Sequence, residues 1–300
     1  MGSIKHAVTG EDRMLPEHAV LGRSPNCDIV IRSSKASAEH AVLRWTKGGW
    51  RVVDLASSNG TWVAGKKLAA GESSELELDS PVSFGSMAET WVLSSAEPPE
   101  PFVRGEDRDL PIVDGLLALP SEDDPRLTIG YDAGEWFAEH EGGRQPVEDR
   151  ERLRISGRWQ LFLPVRTLPQ TEAESGRVCD AELIVRHDPT EEHVTAQLEP
   201  RSGPPVDLGH HAHHVVLLEL GRILLEDRAR GVDPEREGWV HSGDLSQRVG
   251  ADVTHLNIMI HRLRRQLATA GILDSANIVE RQRRTGMLRV GPRSVRVIRG

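Results

Sequence analysis

Residues 21–65, LGRSPNCDIVIRSSKASAEHAVLRWTKGGWRVVDLASSNGTWVAG, constrain the fold more than any other stretch of this 300-residue chain. Asp28–Ile31, Ala41–Trp45 and Trp50–Asp54 are short runs of alternating or β-branched residues, the pattern of strands. Gly48-Gly49 separates the last two and predicts a hairpin turn. Three polar signals fall between the strands: Gly22-Arg23, then Ser37-Ala38-Glu39-His40, then Ser58-Asn59-Gly60-Thr61. A β-sandwich gathers loops of this kind at one end.

A guanidinium, hydroxyls and a carboxamide converging at loop tips can hold a phosphate together with the peptide that carries it. Arg23 offers a planar fork that a phosphate accepts at two oxygens. Ser37 adds a hydroxyl and its own amide, and Asn59 precedes a glycine at a turn. Gly-Arg, Ser-x-x-His and Asn-Gly, in this order and on such loops, resemble the signature of the forkhead-associated (FHA) domain, a phosphothreonine reader. The resemblance covers about the first third of the chain. It implies that Arg23 and Ser37 grip the phosphate, Ser58 and Asn59 hold the peptide, and His40 braces the loop from inside. Two positions depart from the family pattern: Ala38, where Arg or Asn is frequent, and Ala64, where the repeat of Asn-Gly usually has Asn.

Apolar residues make up 38% and charged residues 28%, a composition suited to two or three soluble domains. Cys27 and Cys179 lie far apart without metal-ligand spacing, which fits a reducing cytoplasm better than a disulfide scaffold. No apolar run has the length of a membrane span and the first residues lack the core of a signal peptide, so a cytoplasmic protein with no membrane contact is expected. The net charge of −9 is unevenly spread. Residues 96–208 carry about 25 acidic and 12 basic side chains, whereas residues 209–300 carry about 10 and 15.

Residues 1–95 are expected to form the sandwich, closing with Pro81–Phe84 and Thr90–Leu93. Pro98, Pro99 and Pro101 then mark an exit, and residues 96–126, acidic and proline-punctuated, are expected to be a partly disordered linker. Residues 127–208 predict an antiparallel β region with no evident chemistry. The first strong helix is expected over His210–Arg230, where Val216, Leu217, Leu220, Ile223 and Leu224 make one stripe and Gly231 and Pro234 stop it. A second helix follows over Ser242–Val249 and a third over Asp252–Ala270, the latter with Leu256, Ile260, Leu263 and Leu267 inward. Ile278–Val290 then reads as two strands around an Arg-Thr-Gly tip, with a last strand at Val295–Ile298.

Helix, helix, basic helix and hairpin over residues 209–300 make a winged helix-turn-helix pattern, similar to the DNA-binding domain of OmpR-type response regulators. The residues that carry the similarity are LNIMIHRLRRQL at 256–267 and RRTGMLRV at 283–290. Met287 stands where the family's wing has tyrosine. By this resemblance Asn257, Ile258, His261, Arg262, Arg264 and Arg265 face duplex DNA from the third helix, while Arg283 and Arg284 do so from the wing. Arginine reads guanine edges in the major groove, and phosphate contacts position the protein without specifying sequence.

His210 and His214 lie one turn apart on the expected helix, but no cysteine or carboxylate completes a set, so no metal or other cofactor is expected. No nucleotide loop, zinc-protease motif, nucleophile elbow or kinase signature is present, which points away from an enzyme. The expected fold is therefore multidomain: an all-β FHA sandwich, a small antiparallel β region and a C-terminal α+β winged helix-turn-helix. The two resemblances together imply a bacterial-type transcription regulator serving Ser/Thr kinase signalling. Its partners would be a phosphothreonine-containing protein, such as a kinase or its substrate, and double-stranded DNA, with room for a homodimer on DNA. The acidic centre could lie against the arginine surface until a phosphopeptide repositions the sandwich. The alternative is an FHA adaptor in a signalling or secretion assembly whose winged helix meets protein.

Overall fold

A computed structural model describes every residue except 133, 156, 165–176, 202, 273, 283 and 284. The chain divides into two units. One comprises residues 1–111 and 149–167, the other 112–148 and 168–300.

In the first unit, two antiparallel-rich sheets face each other. One has six strands, in the order Asp12–Met14, Ser3–His6, Thr90–Ser95, Pro81–Phe84, Thr61–Val63 and Lys66–Lys67. The other has five, in the order Ile29–Val30, His18–Gly22, Ala41–Thr46, Gly49–Asp54 and Ser73–Leu76. Strand alternation decides what is buried between them. Trp50 and Val52 point inward from Gly49–Asp54, and Trp91 and Leu93 from Thr90–Ser95, into a core completed by Ile4, Leu21, Leu43 and Phe84. Trp50 keeps its indole N–H satisfied on the Glu97 carbonyl, 2.9 Å away.

Residues 96–126 are not the partly disordered linker expected from their proline and acid content. Phe102–Arg104 and Asp109–Pro111 pair with each other, and the first also pairs with Trp159–Phe162, in a sheet ordered Asp109–Pro111, Phe102–Arg104, Trp159–Phe162, Arg152–Leu153. Phe102 and Phe162 stack at 4.8 Å. Arg104 donates to Asp109 at 2.8 Å and to the Met14 and Asp28 carbonyls at 2.6 and 2.7 Å. The partners of this segment lie some sixty residues away in sequence, so a local window sees only its polarity.

The expected single β region over 127–208 is likewise divided. Arg152–Leu153 and Trp159–Phe162 belong to the first unit, whereas the other described strands of this stretch build two sheets of the second. The first of these, ordered Leu116–Ser121, Asp124–Asp132, Glu135–His140, Gly143–Pro146, is an antiparallel meander. The second runs Val206–His210, Val194–Glu199, Glu182–His187, Ser294–Arg299, the last strand parallel to its neighbour.

Among the described residues, three α-helices follow: α1 (Val215–Ala229), α2 (Ser242–Arg248) and α3 (Val253–Thr269). The first begins later than the expected His210, because His210 ends a strand and Ala212–His214 form a 3₁₀ turn. Gly231, at φ +73°, follows its C-terminus. Asp252 caps α3 by accepting from the His255 N–H at 2.7 Å. Leu256, Ile260, Leu263 and Leu267 of α3 join Leu217, Leu220 and Leu224 of α1 in one core. A three-stranded sheet, Val240–His241, Met287–Val290, Val279–Arg281, closes the unit.

Candidate functional site

The loop signals converge at one end of the sandwich. Gly22 leaves its strand so close to the next loop that an added Cβ would stand 2.3 Å from the Ala38 carbonyl oxygen. That approach lets the Arg23 N–H bond the Ser37 carbonyl at 2.8 Å, and the Ser24 N–H the Ala38 carbonyl at 3.0 Å. The Arg23 side chain is exposed; its Nε reaches the Ala36 carbonyl at 3.4 Å, and its two terminal nitrogens have no partner among the described residues. The Ser37 hydroxyl accepts from the Ser58 N–H at 3.0 Å and lies 3.5 Å from the Ser58 hydroxyl. Asn59 donates its amide N–H to the Lys35 carbonyl at 2.7 Å. Arg23 and Asn59 are thus both joined to the Ser37 loop, at the Ala36 and Lys35 carbonyls, and Ser37, Ser58 and Asn59 reach solvent.

His40 holds this arrangement from below. It is fully buried, its Nδ1 accepts from the Ser37 N–H at 3.0 Å, and its Nε2 faces the Gly60 carbonyl at 3.0 Å. This pairing requires the neutral ring with the proton on Nε2. Burial pushes its pKa down, against the opposing pull of the Gly60 carbonyl and Asp54. Sequence reasoning missed Asp54. Its buried carboxylate accepts from the Ser57 hydroxyl at 2.6 Å, the Thr61 hydroxyl at 2.7 Å and the Ser57 N–H at 3.0 Å, fixing both ends of the Ser-Asn-Gly turn. The readable signal was a carboxylate ending a strand with hydroxyls three and seven residues on.

The α3 face takes a different form from the one expected. Asn257, Ile258, His261, Arg262, Arg264 and Arg265 were placed on an open surface, but His261 and Arg264 are both 2% exposed. The meander of residues 116–146 lies against that side of the helix. Arg264 meets Glu139 at 2.7 Å and donates to the Val279 carbonyl at 2.8 Å. His261 and Arg265 face Glu122, each at 3.8 Å, and Arg262 faces Asp123 at 3.7 Å. Asn257 accepts from Arg281 at 2.9 Å, and Ile258 is half-buried. Arg283 and Arg284 lie outside the described residues. A helical wheel assigns an outer face only against partners that it knows; here the covering sheet comes from more than a hundred residues earlier in the chain.

His213 and His214 both direct Nε2 at the Gln266 side-chain oxygen, at 3.0 Å each, and Gln266 donates to the Leu208 carbonyl at 2.6 Å. Among the described residues no group of three or more His, Cys, Asp or Glu is placed to hold a metal ion.

The family model for the FHA domain matches residues 19–85, so the N-terminal unit contains an FHA domain. The chain is 32% identical over 117 residues to nuclear inhibitor of protein phosphatase 1 from Homo sapiens and from Bos taurus, covering 36% of this chain and 32% of each relative. The chain thus spans about a third of the length of these curated relatives. Among solved structures it is similar to the FHA domain of a Chlamydia trachomatis protein, at 24% identity and TM-score 0.29 over 31% of this chain and 96% of that one. It is also similar to Mycobacterium tuberculosis EmbR in complex with a low-affinity phosphopeptide, at 20% identity and TM-score 0.29 over 33% of this chain and 25% of that one.

Proposed function

We propose that this protein is a signalling component of the cytoplasm that acts by binding, not catalysis, and that it captures phosphothreonine-containing proteins through Arg23, Ser37, Ser58 and Asn59. The observation that carries this reading is the exposed Arg23 fork, whose terminal nitrogens have no partner among the described residues, on a loop whose backbone bonds that of Ser37, with the Ser37 and Ser58 hydroxyls 3.5 Å from each other on the adjoining loops. Two guanidinium donors and two hydroxyls suit the three oxygens of a phosphate monoester. By the FHA resemblance Asn59, anchored on the Lys35 carbonyl, would bond the main chain of a bound peptide. The partner is a Ser/Thr kinase or one of its substrates. Fluorescence anisotropy with a degenerate phosphothreonine peptide pool tests it; equal binding of the unphosphorylated pool, or of the phosphorylated pool by Arg23→Ala, rules it out.

A second function is supported by the element order of residues 206–299. Three helices, the third with a run of arginines, followed by the hairpin of Val279–Arg281 and Met287–Val290, suit a winged helix that binds duplex DNA, making the protein a transcription regulator. The adaptor alternative, with this region meeting protein, predicts no salt-sensitive shift of a duplex.

A further inference from the structure

We propose that the sheet of residues 116–146 is a displaceable acidic cover that competes with duplex DNA for the basic face of α3. The inference rests on the DNA-binding reading of the C-terminal region and names how that surface is controlled.

The cover meets α3 through charge. Glu122 and Asp123, at the turn between its first two strands, face His261, Arg262 and Arg265, and Glu139 faces Arg264. These are the side chains that would otherwise meet phosphates. Arg265 also donates to the Val113 carbonyl at 3.0 Å, but the carboxylate contacts of the rim are long and wet: Glu122 and Asp123 are 63% and 91% exposed. Such pairs hold weakly and are screened by salt.

The centre of the contact is incompletely satisfied. Glu139 serves three guanidinium groups, Arg264 at 2.7 Å, Arg144 at 3.3 Å and Arg281 at 3.5 Å. Arg281 Nε and Nη1, Arg264 Nε and both His261 ring nitrogens are buried without a hydrogen-bond partner. They surround a cavity of about 20 Å3, room for a single water, which cannot partner all of them. The opposite side of α3, by contrast, buries Leu256, Leu263 and Leu267 in the main apolar core. A helix with one apolar and one polar, under-satisfied side parts from its neighbours on the polar side first.

Connectivity supplies a handle. The cover leaves the first unit directly after Asp109–Pro111 and returns to it just before Arg152–Leu153, the two edge strands of one sheet there. Both ends of the cover are therefore strung from the unit that carries Arg23 and Ser37.

The full-length Glu122→Gln/Asp123→Asn variant tests this. A 30-base-pair duplex of mixed sequence is the probe, read by anisotropy at low and moderate salt beside wild type and a charge-matched control, Glu226→Gln/Glu235→Gln. The proposal expects the cover variant to bind about tenfold tighter than wild type, the control to change by less than twofold, and amide exchange of Asp124–Asp132 to quicken in the cover variant alone. Equal duplex affinity of the cover variant and the control overturns the cover while leaving DNA binding intact. Absence of duplex binding by all three proteins, whatever the exchange rates, overturns the DNA-binding reading and the proposal with it.

Discussion

Glu139 and Arg264 meet at 2.7 Å with 3% and 2% of their side chains exposed, a carboxylate and a guanidinium held almost wholly out of water. Burial alone would raise the Glu139 pKa, but Arg264, then Arg144 and Arg281, outweigh it and hold the carboxyl below its usual range. Removing one charge leaves the other buried and uncompensated, which costs about 3–5 kcal/mol. Glu139→Gln should therefore lower the stability of the full chain by that order in urea unfolding. Replacing both partners with apolar residues, Glu139→Leu/Arg264→Met, should recover only part of the loss, because Arg281, 4% exposed, still loses its carboxylate. A single variant as stable as wild type would show that the pair is open to solvent in solution.

Acid should loosen the second unit earlier than it protonates the carboxylates. His213 and His261 are both pushed down to about 4. For His213 burial is the main cause, opposed by its bond to Gln266; for His261 burial again leads, opposed by Glu122 and reinforced by Arg264 and Arg265. A histidine with a depressed folded-state pKa binds protons more readily when unfolded. Stability is thus complete above the unfolded value near 6.5 and declines as pH falls towards about 4. Urea midpoints measured between pH 7.5 and 4.5 should fall through this window, and His213→Gln/His261→Gln should flatten the profile. A profile that stays level down to pH 4.5 would contradict this.

The turn Ala64-Gly65 joins Thr61–Val63 to Lys66–Lys67, with Val63 paired to Lys66. Both turn residues have positive φ, +48° and +81°, the geometry of a type I′ turn. Alanine holds this left-handed conformation at a cost that glycine does not meet and asparagine meets in part. Ala64→Gly and Ala64→Asn should each stabilise the chain by about 0.5–1 kcal/mol, visible as a rise of a few degrees in Tm. Phosphopeptide affinity should change less than twofold. A larger change would give position 64 a part in peptide contact and not only in the turn.

These cases mark how much was legible beforehand. The Gly22-Arg23, Ser37–His40 and Ser58–Thr61 loops were readable because each is punctuated locally, by glycine at a close approach or by hydroxyls beside a turn. Asp54 was not singled out, since its role lies in bonds that only the folded turn defines. Phe102 and Val103 were dismissed with the acidic stretch around them, although their strand partners, Phe162 and Leu161, complete a sheet from far along the chain. The inward stripe of α3 followed from periodicity, but which polar residues lay open did not. Arg264 is covered by Glu139, a residue 125 positions earlier, and a pattern of period 3.6 carries no information about so distant a neighbour.

Arg23 offers the sharpest separation of charge from shape at the phosphate-reading end. Its Nε is spent on the Ala36 carbonyl, which aims the fork and leaves both terminal nitrogens for a ligand. Arg23→Lys keeps the positive charge but loses the planar pair of donors and the Nε anchor, whereas Arg23→Ala loses all three. Hydrogen bonds to a charged group are worth about 1.5–3 kcal/mol, so phosphopeptide affinity should fall about tenfold or more in Arg23→Lys and further in Arg23→Ala. Ser37→Ala should show a smaller loss, because a neutral hydroxyl contributes less than a charged fork, even though its removal also frees the Ser58 N–H. Arg23 is exposed and its side chain supports no core residue, so the melting temperature of the two Arg23 variants should stay near that of wild type. Titration calorimetry with one phosphothreonine peptide and its unphosphorylated twin makes the comparison. Equal affinity of Arg23→Lys and wild type would mean that a point charge suffices and that the fork geometry is not what selects the phosphate.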